Sequence, residues 1–272
     1  MIRAFSLGNG TQVAAEGGKI DPMHQFEVQS FGHLFSIGGH PIDFTNSALW
    51  MCVTVVVLWA FMLGGMKRAV VPGRWQMAVE GATRFIDNML AANVGPEGRR
   101  YVPYVFSLFM FILFANLLGL LPLGVVGVHP FTFTSHFTIT GVLAIMSFSI
   151  VLVVGFWRHG LHFFSLFVPH GTPVWLLPLI PLIELVSFMV RPFSLALRLF
   201  VAMTAGHVLL EVLSGFVINS GNAGVGLGLG VGIPSFLLMI AICALELLVS
   251  AIQAYVFALL TSLYINDAVN LH

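Results

Sequence analysis

Long apolar runs dominate the pattern of hydrophobic and polar positions along this chain. A helix that crosses a bilayer needs about 20 apolar residues, and five segments reach that length, at about 48–66, 101–121, 137–157, 173–218 and 234–265. Lipid cannot satisfy backbone donors and acceptors, so an open chain crosses it only as α-helix. The pattern predicts an all-α polytopic membrane protein, with one membrane domain over residues 48–272 after an N-terminal segment, 1–47.

A further segment, about 72–92, has helical periodicity but too many polar residues to cross lipid. Trp75, Val79 and Phe85 fall on one face, while Arg84 and Asp87 lie largely elsewhere. This distribution predicts an amphipathic helix at the membrane surface. An ordinary solvated connector helix is the alternative.

Composition strengthens the membrane prediction. Apolar residues make up 58% of the 272 residues and charged residues 8%, about a third of the ~25% that is usual in soluble proteins. The net charge is zero, so no nucleic-acid partner is expected. Cys52 and Cys243 lie in apolar runs without the spacing of a disulfide, metal or redox motif. No metal or cofactor is predicted.

The loops between the predicted spans carry their basic residues very unevenly. The first loop contains Lys67, Arg68, Arg74, Arg84, Arg99 and Arg100, and the third contains Arg158. The second and fourth loops contain neither lysine nor arginine. Positive charges mark cytoplasmic loops, so we predict a periplasmic N-terminus and a cytoplasmic C-terminus. The N-terminal segment has no apolar h-region, and no signal peptide is expected.

The last two predicted spans are too long for one upright crossing. About 40 residues form a helix of roughly 60 Å, against a hydrocarbon core of about 30 Å. Span four must therefore break or tilt steeply, and its break points would be at prolines, namely Pro173, Pro178, Pro181 and Pro192. We predict an antiparallel, strongly tilted pair, about 173–218 and 234–265, joined by a glycine-rich turn over residues 221–232. Such a pair would present a surface to another membrane component.

Ionisable residues inside these two spans are the candidate functional groups. They are Glu184, Arg191, Arg198, His207, Glu211 and Glu246, together with the polar Gln253. Each ion at the bilayer centre costs at least ~2.5–3.5 kcal/mol. Snorkelling or a structural ion pair suits Arg191 and Glu211. Arg198, in contrast, lies mid-span without an acidic residue three or four positions away.

The spacing of these residues separates them into two sets. Glu184, Arg191 and Arg198 are seven residues apart and share one helix face, while His207 lies on roughly the opposite face. On the next span Glu246 and Gln253 also share a face. A histidine with a carboxylate on a neighbouring span, both in lipid, indicates a proton relay.

Four segments resemble subunit a of the F-type ATP synthase. The most specific are PFSLALRLFVAMTAGH and ELLVSAIQAYVFALLTSLYI, and VPGRWQMAVE and FANLLGLLP add to them. DPMHQFEV near the start resembles bacterial forms close to the mitochondrial lineage. The resemblance implies a stator subunit of the bacterial inner membrane, in contact with a c-subunit ring, b-type peripheral stalk subunits and lipid. Two offset half-channels would carry protons to and from the ring, and this chain would bind no nucleotide.

The resemblance also implies roles for individual residues. Arg198 corresponds to the essential cation that faces the ring carboxylate, and Gln253 to a glutamine near it. Glu184 matches the acid of the cytoplasmic path, and His207 and Glu246 match a pair of the periplasmic path that some members carry in exchanged positions. Asn116 matches an asparagine of the family. Ala202 stands where the family has asparagine, four residues after the arginine.

Two other functional classes are less compatible with the sequence. A secondary transporter or ion channel would often show internal repeats and broken helices, and no repeat is found. An intramembrane enzyme would need a nucleophile or metal motif, and neither Gly-x-Ser-x-Gly nor His-Glu-x-x-His occurs. The local histidine cluster of His159, His162 and His170 lies in a loop without an acidic partner nearby, which makes it a weak metal site.

Overall fold

The computed structural model describes residues 26–28, 30–37, 40–66, 73–121, 131–160, 163, 179–222, 224, 226 and 228–270. The predicted glycine-rich turn lies partly outside these ranges. The loop residues Lys67 and Arg68, and also Pro173 and Pro178, lie wholly outside them.

Six α-helices make up most of the described chain. They are α1 (Asn46–Gly65), α2 (Arg74–Asn93), α3 (Val102–Leu120), α4 (Phe137–His159), α5 (Ile180–Asn222) and α6 (Ile233–Val269). Five segments containing α1, α3, α4, α5 and α6 are long and apolar enough to cross a membrane. The predicted all-α membrane architecture is confirmed, and most boundaries agree within a few residues. The first residues predicted for span four, 173–178, lie outside the described chain.

A short β-hairpin precedes the first helix and was not predicted. Strand β1 (Ser30–Ile37) pairs antiparallel with β2 (His40–Thr45), and Ser30 is the partner of Thr45. The hairpin leads directly into α1. Thr45, the last residue of β2, also caps this helix, because its side chain accepts a hydrogen bond from the Ala48 amide, 3.4 Å away. Periodicity over so short a segment is a weak signal.

Helix α2 occupies the amphipathic segment predicted from the sequence. Val79, Ile86 and Leu90 are buried against the neighbouring helices. The indole nitrogen of Trp75 donates a hydrogen bond to the Phe61 carbonyl at 2.8 Å, which fastens the start of α2 to α1. Part of the apolar face therefore packs on protein, while Trp75 and Phe85 are about half exposed. The position of α2 at the membrane surface stays a prediction.

Helix α5 continues without interruption through Pro192. The sequence analysis named this proline as a possible break point, and the structure has no break there. With 43 residues, the helix is about 65 Å long at 1.5 Å per residue. Its excess over the bilayer thickness must therefore be met by tilt or by ends that extend beyond the lipid.

Helices α5 and α6 form an antiparallel pair, which we call the long hairpin. At one end the guanidinium of Arg191 donates a hydrogen bond to the carboxylate of Asp267 at 2.6 Å and lies over the Tyr264 ring. Further along, Met203 contacts Ser250. The structural ion pair expected for Arg191 is therefore present. Its partner, Asp267, was not predicted.

The two ends of the bundle differ in charge. At the arginine-rich end, defined by Arg84, Arg99, Arg100 and Arg158, Arg158 forms an ion pair with Glu97. At the opposite end, a 3₁₀ turn (Phe133–Ser135) precedes α4. We call residues 131–136 the threonine turn. It fits against α3 and α5 and contributes to the site described next.

Candidate functional site

A cluster of buried polar side chains joins α3, the threonine turn, α5 and α6. Its members are Asn116, Thr132, Thr134, His207, Glu246 and Ser250, and we call it the buried polar cluster. Burying polar groups in so apolar a bundle costs free energy unless they form hydrogen bonds with one another. Ionisable groups that are buried in spite of this cost mark candidate functional sites. Three of the residues singled out from the sequence, Asn116, His207 and Glu246, thus lie in one place.

His207 and Glu246 are in contact across the long hairpin. His207 Nε2 lies 3.7 Å from Glu246 Oε1. The Glu246 side chain is only 2% exposed, and neither carboxylate oxygen accepts a hydrogen bond from the described part of the chain. A buried carboxylate beside an imidazole is chemically able to take up and release a proton, because either group can hold it.

Gly206 provides the space in which Glu246 packs. A Cβ atom at position 206 would lie 2.5 Å from Glu246 Oε1 and 2.7 Å from its carboxyl carbon. Any side chain there would displace the carboxylate. Position 206, immediately before His207, therefore requires glycine for steric reasons. The sequence shows this glycine but does not show that Glu246 occupies the space beside it.

The threonine turn brings a hydroxyl to His207. Thr132 Oγ1 and His207 Nε2 share a hydrogen bond of 2.8 Å. The turn approaches α3 closely, since a Cβ atom at Gly119 would clash with the Thr132 side chain. The hydroxyl of Thr204 on α5 also donates to the Ser135 carbonyl at 3.2 Å. These contacts fix the turn in the bundle.

Asn116 connects α3 with the threonine turn and α6. Its side chain is fully buried, and its Oδ1 accepts a hydrogen bond from the Thr134 hydroxyl at 2.9 Å. Its Nδ2 donates to the Ser250 carbonyl at 3.4 Å. Sequence reasoning missed Thr132, Thr134 and Ser250. The available signal was the run FTFTSH directly before an apolar span.

Arg198 points away from the buried polar cluster. Nine residues separate it from His207, which corresponds to opposite sides of a helix. Its side chain is exposed, and within the described ranges no ion pair or hydrogen bond involves it. Ala202, one turn further, is half-buried. A cation on an apolar helix is costly in lipid, and Arg198 has no ion pair or hydrogen bond among the described residues to offset that cost.

Gln253 and Glu184 lie at different heights relative to Arg198. Ser250 contacts Met203, so Gln253 lies near residue 200 in the antiparallel register, about two residues or 3 Å from the height of Arg198. Glu184 is half-buried near the start of α5, about 21 Å along the helix from Arg198. His207 lies about 14 Å away in the other direction. Arg198 therefore separates the two candidate groups along α5.

The histidine cluster considered from the sequence is only partly described. His159 shares a hydrogen bond of 3.2 Å with the Val269 carbonyl and thereby connects the ends of α4 and α6. His162 and His170 lie outside the described residues. Within the described ranges, no group of three His, Cys, Asp or Glu side chains is placed to hold a metal ion.

Comparison with known proteins gives consistent matches over nearly the whole chain. The sequence profile of the family described as ATP synthase A chain matches residues 48–266. Proteins named ATP synthase subunit a from Sphingopyxis alaskensis and Rhizorhabdus wittichii are 73% and 69% identical, over 96% of this chain and 100% of each relative. One of the same name from Zymomonas mobilis is 61% identical over 93% of this chain and 98% of the relative.

Proposed function

Because this chain belongs to the ATP synthase A chain family, we propose that it is the proton-translocating stator subunit of the membrane sector, working against a ring of c subunits. It is a multi-pass protein of the bacterial inner membrane. Its five apolar helices and the agreement with relatives over their whole length support this reading, and a secondary transporter is not favoured. The peripheral stalk of b-type subunits would hold it in place, and nucleotide chemistry would lie on other chains.

The opposite orientation of Arg198 and His207 on α5 is the observation that carries the proposal. One face of this helix offers a cation to a partner outside the chain, and the other face holds a buried imidazole–carboxylate pair. A stator needs the cation and the proton-carrying pair on separate faces, because protons must reach the ring without crossing the membrane directly.

On the periplasmic side, protons would pass through the buried polar cluster. The hydroxyl of Thr132, which bonds to His207, and the amide of Asn116, which bonds to Thr134, would line the approach to His207 and Glu246. The imidazole and the carboxylate would exchange a proton in turn, since each group can accept one and release it. From there the proton would move to a ring carboxylate on the exposed face of the long hairpin.

Arg198 would act on the ring carboxylate as a fixed charge. A guanidinium stays protonated in proteins, and an opposite charge nearby favours the ionised form of a carboxylate. A carboxylate arriving at Arg198 would therefore lose its proton, and the cation would repel protons on either side. Gln253, at nearly the same height, would orient the arginine or the carboxylate by hydrogen bonding.

Glu184 would receive protons on the cytoplasmic side. It lies near the arginine-rich end, on the far side of Arg198 from His207, and on the Arg198 face of α5. The arginine-rich end would face the cytoplasm, in keeping with the positive-inside rule. The C-terminus would lie on the same side and the N-terminal hairpin in the periplasm.

Photo-crosslinking tests the proposed ring contact. Leu209 is 45% exposed and lies on the Arg198 face of α5, while Val56 on α1 is 66% exposed. A photoreactive amino acid at position 209 of the whole complex should form an adduct with a small ring subunit, identified by mass spectrometry. The same amino acid at position 56 is the control and should not. A chain that purifies without a ring, or that forms no ring adduct from position 209, would contradict the proposal.

The hydroxyl of Thr132 is expected to contribute to proton passage. We expect Thr132→Val to slow proton flux about tenfold, because the loss of one hydrogen bond to a group that becomes charged costs about 1.5 kcal/mol or more. The measurement is potential-driven proton uptake by vesicles stripped of the catalytic sector. Thr132→Ser should restore the flux. Thr140→Val is the matched control, since among the described residues the Thr140 hydroxyl bonds to the His136 and Phe137 carbonyls and not to His207.

A further inference from the structure

A cleft at the arginine-rich end has no part in the proton path. It has a volume of about 990 Å³ and opens between the 3₁₀ helix just before α3 (Pro96–Tyr101) and the end of α4. One wall contains Glu97, Arg100 and Tyr101, and the other contains Val153, Trp157 and Arg158. The cleft lies where two predicted membrane helices reach the lipid boundary.

The rim of the cleft carries excess positive charge. Arg158 forms an ion pair with Glu97 across the cleft. Arg100 is exposed, and no ion pair or hydrogen bond joins it to another side chain in the described ranges. Its neighbour Arg99 faces Asp87 instead, 3.8 Å away. Two guanidinium groups and one carboxylate therefore leave one cation available at the rim.

The α4 wall of the cleft has exposed apolar side chains next to its basic rim. Val153 is 58% exposed and Trp157 is 88% exposed, although both belong to a helix apolar enough to cross the membrane. Tryptophan is typical of the level of lipid headgroups. The α4 wall thus continues from the basic rim towards the bilayer core. A lipid could use this apolar surface for its acyl chain, whereas a free anion would need only the basic rim.

We propose that this cleft binds an anionic phospholipid, whose phosphate contacts Arg100 and Arg158 while an acyl chain lies along Val153 and Trp157. Guanidinium groups bind phosphate oxygens through two parallel hydrogen bonds. Basic pockets between membrane helices on the cytoplasmic side recognise lipid headgroups in this way. Glu97 would hold Arg158 at the rim and set the direction of its guanidinium. The site is independent of the proton path.

Photolabelling of the whole complex in nanodiscs tests the lipid site. One sample contains phosphatidylglycerol with a diazirine on its acyl chain, and the other contains phosphatidylcholine with the same group. Peptides that cover residues 96–101 and 153–158 should be labelled preferentially by the anionic lipid. That preference should fall about fivefold for each guanidinium removed by Arg100→Gln or Arg158→Gln, the factor expected for one basic side chain at a membrane surface.

The controls separate a lipid site from a general effect of charge. Arg74→Gln with Arg84→Gln removes two exposed arginines of α2 outside the cleft and should leave the preference unchanged. Replacing both cleft arginines by lysine should retain part of it. Equal labelling by the two lipids, no labelling because another subunit fills the cleft, or displacement by excess inorganic phosphate would each overturn the proposal. So would an unchanged preference after both Gln replacements.

Discussion

Arg198→Ala is expected to reduce proton-driven ATP synthesis to less than about one-hundredth of the unmodified rate. Removing one partner of a desolvated charge pair costs about 3–5 kcal/mol, which corresponds to two or more orders of magnitude in rate. The complex should still assemble, because Arg198 is exposed and makes no ion pair or hydrogen bond within the described ranges. Synthesis by vesicles under an imposed proton gradient measures the rate, and the subunit composition of the purified complex measures assembly.

The matched control removes another cation from the same face of α5. Arg191→Gln combined with Asp267→Asn eliminates both members of the ion pair between α5 and α6 and should leave most synthesis intact. Arg198→Lys should retain little activity, because an ammonium group can lose its proton and lacks the planar fork of a guanidinium. Substantial synthesis by the Arg198→Ala complex would contradict the assigned role. An equal loss of ATP synthesis in the Arg191→Gln, Asp267→Asn control would show that the effect is not specific to the cation at position 198.

Glu246→Gln is expected to slow proton flux about a hundredfold or more, the usual contribution of a group that transfers protons directly. An amide cannot take up and release a proton at moderate pH. The complex should be at least as stable as the unmodified one, since the buried carboxylate accepts no hydrogen bond from a described residue and a neutral amide costs less to bury. Proton uptake by vesicles without the catalytic sector, together with the melting temperature of the complex, tests both expectations.

Exchanging the two residues tests whether they act as a pair. His207→Glu combined with Glu246→His keeps one imidazole and one carboxylate in contact across the long hairpin, so it should recover flux that either single replacement loses. Glu211→Gln is the control, because this carboxylate is exposed one turn from His207 and lies outside the buried polar cluster. Unchanged flux in Glu246→Gln, or an equal loss in Glu211→Gln, would exclude the pair.

Apolar periodicity was sufficient to predict the membrane helices and their order. Runs such as 137–157 have no other stable form in lipid, and α4 occupies Phe137–His159. Spacing also predicted correctly that Arg198 and His207 lie on opposite faces of one helix. These features are local, so a single stretch of sequence determines them. The role of each residue came from the resemblance to subunit a and stays a prediction.

Features that depend on contacts between distant segments were not predictable in the same way. Thr132 and His207 are 75 positions apart, and Arg191 and Asp267 are 76 apart. Neither pair has a sequence signature. Pro192 favoured a break by its local chemistry, but α5 is continuous through it. The β-hairpin before α1 is too short for its alternation to be distinctive.

The fastening of the long hairpin at its ends has a mechanical consequence. Arg191 holds α5 to Asp267, and the end of α6 is held to α4 through His159 and Val269. A rotor pushing sideways on the exposed face would therefore load two long helices that are joined to each other and to α4 near one end. Their mid-section, which carries Arg198, can bend only as far as helix stiffness allows. The hairpin would transmit torque to the bundle while the Arg198 guanidinium stays at a fixed height. The load would then be carried by the joined helix ends, and the group that acts in proton transfer would not have to move.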